Sequence, residues 1–335
     1  MVEILLLLWI ASAVFIVFER KVYRIIIYFG IFSLITSVCY LLLGAPDVAM
    51  AEAGISAFAT IFFIICIEKY YGRKGDLSTE KPMKLKGGRW LTKIVLPLIF
   101  SAGLMVLFVY FMPDETVSTY LKDQYLANFM RDVGGQNAVT AIYLGYRVYD
   151  TLFEALILVI AVVAVSYMSW SVETEVKDGR HSEIENMHMA VFTMRIICPI
   201  ILIFGVYLIM NGHISAGGGF QGGLAVATFF ICRYLIYDIY DIPIKKVIKF
   251  EELVFINIIV IAIIAVFLGT SAYLTAEFNE VFQDIYLIIM NVLIGLKVAC
   301  GFFVLFYRYV AIERQNDDGP PPKPLRARFE KSTNE

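Results

Sequence analysis

Residues 212–223 read GHISAGGGFQGG and join an apolar run at 193–210 to another at 215–237. The stretch therefore sits at, or just inside, a membrane boundary. Gly217, Gly218 and Gly219, then Gly222 and Gly223, leave a strip of backbone without side chains. Read as the start of a helix, Gly218/Gly222 and Gly219/Gly223 are two overlapping small-xxx-small pairs, which let a second helix approach backbone to backbone. His213 and Gln221 are the side chains here able to bind or relay a proton or hold a polar ligand. Spacing alone leaves two readings open: a glycine-lined packing joint with a surface histidine, or a polar turn that serves an ion path.

The composition around this stretch places it in a membrane. Of 335 residues, 59% are hydrophobic and 17% charged, too apolar for a soluble domain. Apolar runs near 4–18, 25–43, 48–67, 93–112, 151–170, 193–210, 215–237, 252–270 and 284–307 approach or reach the roughly 20 residues a helix needs to cross hydrocarbon. They are continuous and do not alternate, which excludes barrel strands. The expected fold is all-α: a polytopic integral membrane protein of about nine transmembrane helices. The first run follows Met1 with Glu3 and lacks a basic start, so it is expected to stay as a span and not be cleaved.

Orientation follows from the positive charges. If the N-terminus lies outside, the segments 19–24, 68–93, 171–195, 233–251 and 308–335 face the cytoplasm. They then hold every one of the 28 Lys and Arg except Lys122, Arg131, Arg147 and Lys297. The positive-inside rule thus predicts an external N-terminus and a cytoplasmic C-terminus. Polar stretches divide the chain. A three-helix module (1–70) is followed by a basic linker (71–92). A two-helix module (93–170) with an external loop at 112–150, expected to include a surface-lying helix, is followed by a linker of mixed charge (171–192). A four-helix module (193–310) precedes a tail (311–335) containing Pro320, Pro321, Pro322 and Pro324.

Ionisable groups at membrane depth are costly unless paired or wetted, so each is a functional candidate. In GAPDVAMAEAG (44–54), Asp47 follows Pro46 and fits a helix N-cap, while Glu52 lies more than a turn further in and is the better proton or cation site. In NAVTAIYLGYRVYDTLFEALI (137–157), Asp150 and Glu154 stand at i and i+4 on one helix face. Like charges there repel or draw in a cation, such as nearby Arg147, and Glu154 is the deeper of the two. In NVLIGLKVACG (291–301), Lys297 falls near the middle of the last span, too far from either end to snorkel, and needs a carboxylate or a wet cavity. The five cysteines are scattered singly, so neither an iron–sulfur cluster nor a disulfide framework is expected. No nucleotide loop, nucleophile with its base, or metal-binding cluster occurs. The chain is therefore not expected to be an enzyme on its own, to bind a cofactor or metal, or to have a nucleic-acid partner.

Three stretches carry a resemblance. Residues 1–70, through GAPDVAMAEAG, resemble the MbhD-type module. Residues 93–170, through VTAIYLGYRVYDTLFEA, resemble the MbhE-type module. Residues 190–310, through GHISAGGGFQGG and GLKVACG, resemble MnhB/MrpB, called MbhF in membrane-bound hydrogenases. The resemblance implies a non-redox subunit of an Mrp-type Na+/H+ antiporter module, contributing to the Na+ or H+ path. Its partners would be other Mrp-type subunits and the lipid bilayer, with hydrogenase-like or other iron–sulfur subunits if the assembly is redox-driven. By motif match, Asp47, Glu52, Asp150, Glu154, His213, Phe220 and Lys297 inherit a place near that path. The chain departs from the family pattern at Ala216, where proline is usual, and at Val148 and Phe153, where glycine is usual. A structural scaffold and, less well supported, an independent carrier are the alternatives; a carrier of that kind predicts inverted repeats, and none is visible.

Overall fold

A computed structural model of the chain describes residues 2–19, 21–71, 88–110, 115–168, 188–237, 244–269 and 276–317. The linker residues 72–87 and 169–187 and the Pro-rich tail from 318 onward lie outside the described residues. All described regular structure is helical. In chain order the helices are α1 (Val2–Phe18), α2 (Val22–Leu42), α3 (Pro46–Tyr71), α4 (Gly88–Tyr110), α5 (Glu115–Asp132) and the short α6 (Ala138–Ala141). One widened turn, Ile142–Tyr146, leads into α7 (Val148–Met168), followed by α8 (His188–Asn211), α9 (Gly219–Tyr237), α10 (Ile244–Gly269) and α11 (Ala276–Asp317). Long apolar runs become helices because hydrocarbon offers backbone N–H and C=O groups no other partner. Six of these helices contain stretches long and apolar enough to cross a membrane: Val22–Leu42, Pro46–Ile64, Val148–Tyr167, Phe192–Asn211, Ile244–Phe267 and Phe282–Arg308. Glu3–Phe18 and Leu98–Leu107 are shorter apolar helices.

The first three helices form a hairpin with an extra arm. Trp9 of α1 stacks on Phe32 of α2, with ring centroids 5.0 Å apart, and its indole N–H donates to Thr36 Oγ1 at 2.8 Å. The α2–α3 turn closes when the Leu43, Gly44 and Ala45 amides reach back to carbonyls of Cys39, Leu41 and Tyr40. Gly44 takes φ +78°, the left-handed conformation that ends a helix, and Pro46 opens the next one with its missing N–H. Across this hairpin, Ser37 Oγ donates to Ala49 O at 2.6 Å.

The centre of the molecule is α11. Its spanning stretch is 61% buried inside this one chain, against 22% or less for each of the others. Leu287, Met290, Ile294 and Val298 of α11 meet Leu224 of α9, Val254, Ile258 and Ala262 of α10, and Leu144 and Val148 from the second segment. The α9–α11 contact is one of backbones: a Cβ on Gly223 would lie 2.5 Å from Gly295 O, a distance only glycine allows. The first hairpin docks onto this core through Phe58 of α3, edge-on to Phe302 of α11 at 4.7 Å. Conversely, the described side chains of α4, from Leu98 to Tyr110, leave large apolar surface uncovered by the rest of the chain.

Candidate functional site: buried polar groups in an apolar bundle

At one end of the bundle, all three segments converge on the turn between α8 and α9. The helix does not begin at the first glycines. Gly217 and Gly218 hold positive φ, +150° and +151°, and α9 starts at Gly219. Side chains rarely adopt that backbone, and a Cβ on Gly218 would also fall 2.4 Å from the Tyr143 hydroxyl. Into this bare turn comes Asp47, only 6% exposed. The expectation that it caps α3 is corrected. Asp47 is the second residue of that helix, and its Oδ1 accepts the Gly217 N–H at 2.9 Å and Asn137 Nδ2 at 3.2 Å, both from other segments. Gln221 Nε2 adds a contact to the Asp47 carbonyl at 3.3 Å.

Asn137 is the hub that sequence reasoning missed. Its Oδ1 caps α6 by accepting the Val139 N–H at 3.0 Å, while Nδ2 reaches Asp47 and the carbonyls of Gly212 and Ser215. Thr140, fully buried, donates to Gly212 O at 2.6 Å. Asn291 of α11, also fully buried, accepts from the Gly219 N–H at 3.0 Å and from the Tyr143 hydroxyl at 3.1 Å. Burial pushes the Tyr143 hydroxyl up to about 12, so it stays a neutral donor. His213 takes part through its backbone: its carbonyl accepts the Gln136 and Asn137 N–H groups, while the buried Nδ1 of its ring has no hydrogen-bond partner among the described residues. Phe220 packs among apolar side chains, edge-on to Phe302 at 6.3 Å. Ala216 lies in the turn just ahead of these glycines.

The ionisable groups within the spans are arranged differently. Glu52, half-buried on α3, takes a short hydrogen bond from the hydroxyl of Ser33 on α2. Asp150 is paired with Arg147 at 2.6 Å. That pairing leaves Glu154, one turn deeper on the same exposed face, with no hydrogen bond or ion pair among the described residues. Beside it Phe153 is 63% exposed and Ile157 67%. Val148, by contrast, is buried.

Lys297 is fully buried on α11 and forms an ion pair with Glu251 of α10, itself 1% exposed. The ammonium also lies 5.6 Å from the centre of the Phe255 ring. Sequence reasoning asked for a carboxylate beside Lys297 but placed Glu251 in a polar segment, 233–251, ahead of the span. This placement is corrected: α10 begins at Ile244, and Glu251 lies about two turns inside it. Lys245, Lys246 and Lys249 drew the boundary too late. The periodicity held the missing signal, because Glu251, Val254, Ile258 and Ala262 form one helical stripe, and all four are buried. Among the described residues, no group of three or more His, Cys, Asp or Glu gathers in a way that could hold a metal ion.

Residues 7–71 match the family model MbhD, which describes the D-type subunit of MBH, and residues 189–304 match that of the domain related to the MnhB subunit of Na+/H+ antiporters. The chain thus fuses an MbhD-like segment to an MnhB-like domain. A Rhizobium meliloti (strain 1021) protein, named as the A/B-type subunit of a K(+)/H(+) antiporter, is 24% identical to it over 255 residues. That match takes in 68% of the fusion but only 26% of the Rhizobium protein, so the fusion spans about a quarter of that relative. Among solved structures, a chain of the Mrp complex from Dietzia sp. DQ12-45-1b shares its fold, with a TM-score of 0.67, 20% identity, and coverage of 89% of the fusion and 34% of that chain. A chain of the membrane-bound sulfane sulfur reductase, an archaeal respiratory membrane complex, superposes with a TM-score of 0.53 and 26% identity, over 65% of the fusion and 96% of that chain. The fusion is thus similar to antiporter-type membrane subunits, and Asp47 of its MbhD module reaches directly into the glycine turn of its MnhB module.

Proposed function

We propose that the fusion is a non-redox membrane subunit of a multi-subunit Mrp-type Na+/H+ antiporter module, and that its buried ionisable groups line part of the path taken by Na+ or H+. The observation that carries this reading is Lys297, a lysine without solvent exposure in the middle of an apolar span, held by an equally buried carboxylate. Charges at that depth are expensive and are kept where ions or protons move. Glu52 and Glu154 extend the set, and Asp47, His213 and Phe220 belong to the turn at one end of it. In this reading the segment 93–170 is an MbhE-type module, giving three, two and four spans with the N-terminus outside, in the inner membrane of a prokaryote. Partner subunits cover the α7 face that carries Glu154, which hydrocarbon alone would leave unpaired. The match that takes in 96% of a sulfane sulfur reductase chain supports a second setting for the same subunit, a redox-driven complex whose iron–sulfur partners supply the energy.

The test is purification in mild detergent through a tag on this chain, with mass spectrometry of the proteins that accompany it and Na+/H+ exchange assayed in vesicles. Antiporter-type subunits should co-purify, and Glu52→Gln or Glu154→Gln should lower exchange at least tenfold in complexes that assemble normally. Full exchange in both assembled variants would instead make the chain a scaffold. A chain that purifies alone and monodisperse would end the subunit reading.

A further inference from the structure

We infer that Glu251 and Lys297 form a cation–proton exchange site, in which the Lys297 ammonium is the resting occupant of a carboxylate that accepts a small monovalent cation once Lys297 gives up its proton. This deepens the proposed function and rests on it. Three features of the pair carry it. First, the two charges rely on each other: among the described residues neither the Lys297 ammonium nor Glu251 Oε1 has another hydrogen-bond partner, although both are buried. Charges buried for structural reasons are ordinarily saturated with hydrogen bonds. Asp47 in this same molecule has two donors on one oxygen. Second, the pair is not explained by stability, since well-packed apolar residues replace buried ion pairs at little or no cost. Third, the ammonium lies over the Phe255 ring, whose face attracts any monovalent cation and sets no demand for an N–H donor. A further titratable side chain, Cys300, stands less than one turn from Lys297 along α11.

The charges balance. In the resting state, ammonium and carboxylate sum to zero. Lys297 –NH3+ releases H+ to water on the path and becomes –NH2, and one Na+ or K+ enters beside the Glu251 carboxylate, which again sums to zero. One cation enters for each proton that leaves, because an unbalanced charge at this depth is strongly disfavoured.

Two variants separate exchange from mere pairing. Lys297→Arg keeps the cation and its ion pair, but a guanidinium does not release its proton. The double variant E251Q/K297M removes both charges at nearly constant volume, and decides the matter where the bulkier arginine prevents assembly. Each is measured in the whole complex, purified through this chain and sealed in vesicles, with an internal pH dye and pulses of NaCl, KCl or choline chloride. Both variants are expected to assemble within twofold of the wild-type yield and to exchange at least tenfold more slowly, with NaCl and KCl pulses showing which cation the site takes. Exchange within twofold of wild type in either assembled variant overturns the inference. Glu52→Gln run alongside identifies which statement has failed. If it abolishes exchange while Lys297→Arg does not, only this inference falls. If the wild-type complex moves no cation against protons, the proposed function falls with it.

Discussion

Two acidic side chains here are both buried, yet their settings differ. Asp47 is tied down: its Oδ1 takes hydrogen bonds from Gly217 and Asn137 and fastens one segment to the glycine turn of another. Asp47→Ala would leave the buried Gly217 N–H unsatisfied, at a cost of about 2 kcal/mol, while Asn137 keeps its carbonyl acceptors. Asp47→Asn retains an acceptor oxygen and should cost about 1 kcal/mol. Thermal midpoints of the purified complex, followed by tryptophan fluorescence, should therefore rank wild type above Asn and Asn above Ala; equal midpoints for Ala and wild type would remove Asp47 from this role. Glu251 pairs with Lys297 and has no further hydrogen bond to its Oε1 among the described residues, the arrangement of a group that can change occupants. Of these two residues, sequence reasoning considered Asp47 and passed over Glu251. Both decisions rested on neighbours along the chain, such as Pro46 ahead of one and Lys249 close to the other.

At the level of elements, α9 is held by close backbone approach on two sides. A Cβ on Gly222 would lie 2.6 Å from Gly205 O of α8, and one on Gly223 would lie 2.5 Å from Gly295 O of α11. Gly223→Leu must push α9 away from the central helix, because backbone atoms cannot yield as a flexible side chain can. The expected outcome is loss of the folded chain from detergent extracts, read by size-exclusion chromatography with an in-line fluorescent tag. Gly103 on α4 has open space around it and serves as the control, where alanine should leave the profile unchanged. The overlapping glycine pairs pointed to close helix packing. They did not reveal that Gly217 and Gly218 keep positive φ and stay outside the helix beside Asp47 and Tyr143, because neither of those residues is near in sequence.

For the whole molecule, sidedness and neighbours are what experiment can fix next. The charge distribution predicts that Lys122 faces outward and Lys246 the cytoplasm. Cysteine placed at each position in turn should show it: an impermeant maleimide added to intact cells should label Lys122→Cys and spare Lys246→Cys until the membrane is opened, and the reverse pattern would invert the topology. The uncovered apolar side chains of α4 and the exposed face of α7 around Glu154 show how much of this chain is left for lipid or partner subunits to cover.

What the sequence determined by itself was whatever depends on neighbouring residues. Long apolar runs must become helices where water is absent, Lys and Arg report the sides of the membrane, and motif stretches announced the MbhD and MnhB modules that the family models then matched. Tertiary structure decided which polar group meets which. Asp47 finds the Gly217 amide 170 residues away, and Lys297 finds Glu251 on the preceding helix. Those pairings depend on how far one helix slides and rotates against another. That register is set by backbone contact at glycines and by the fit of the core around α11, quantities that no single stretch of sequence contains.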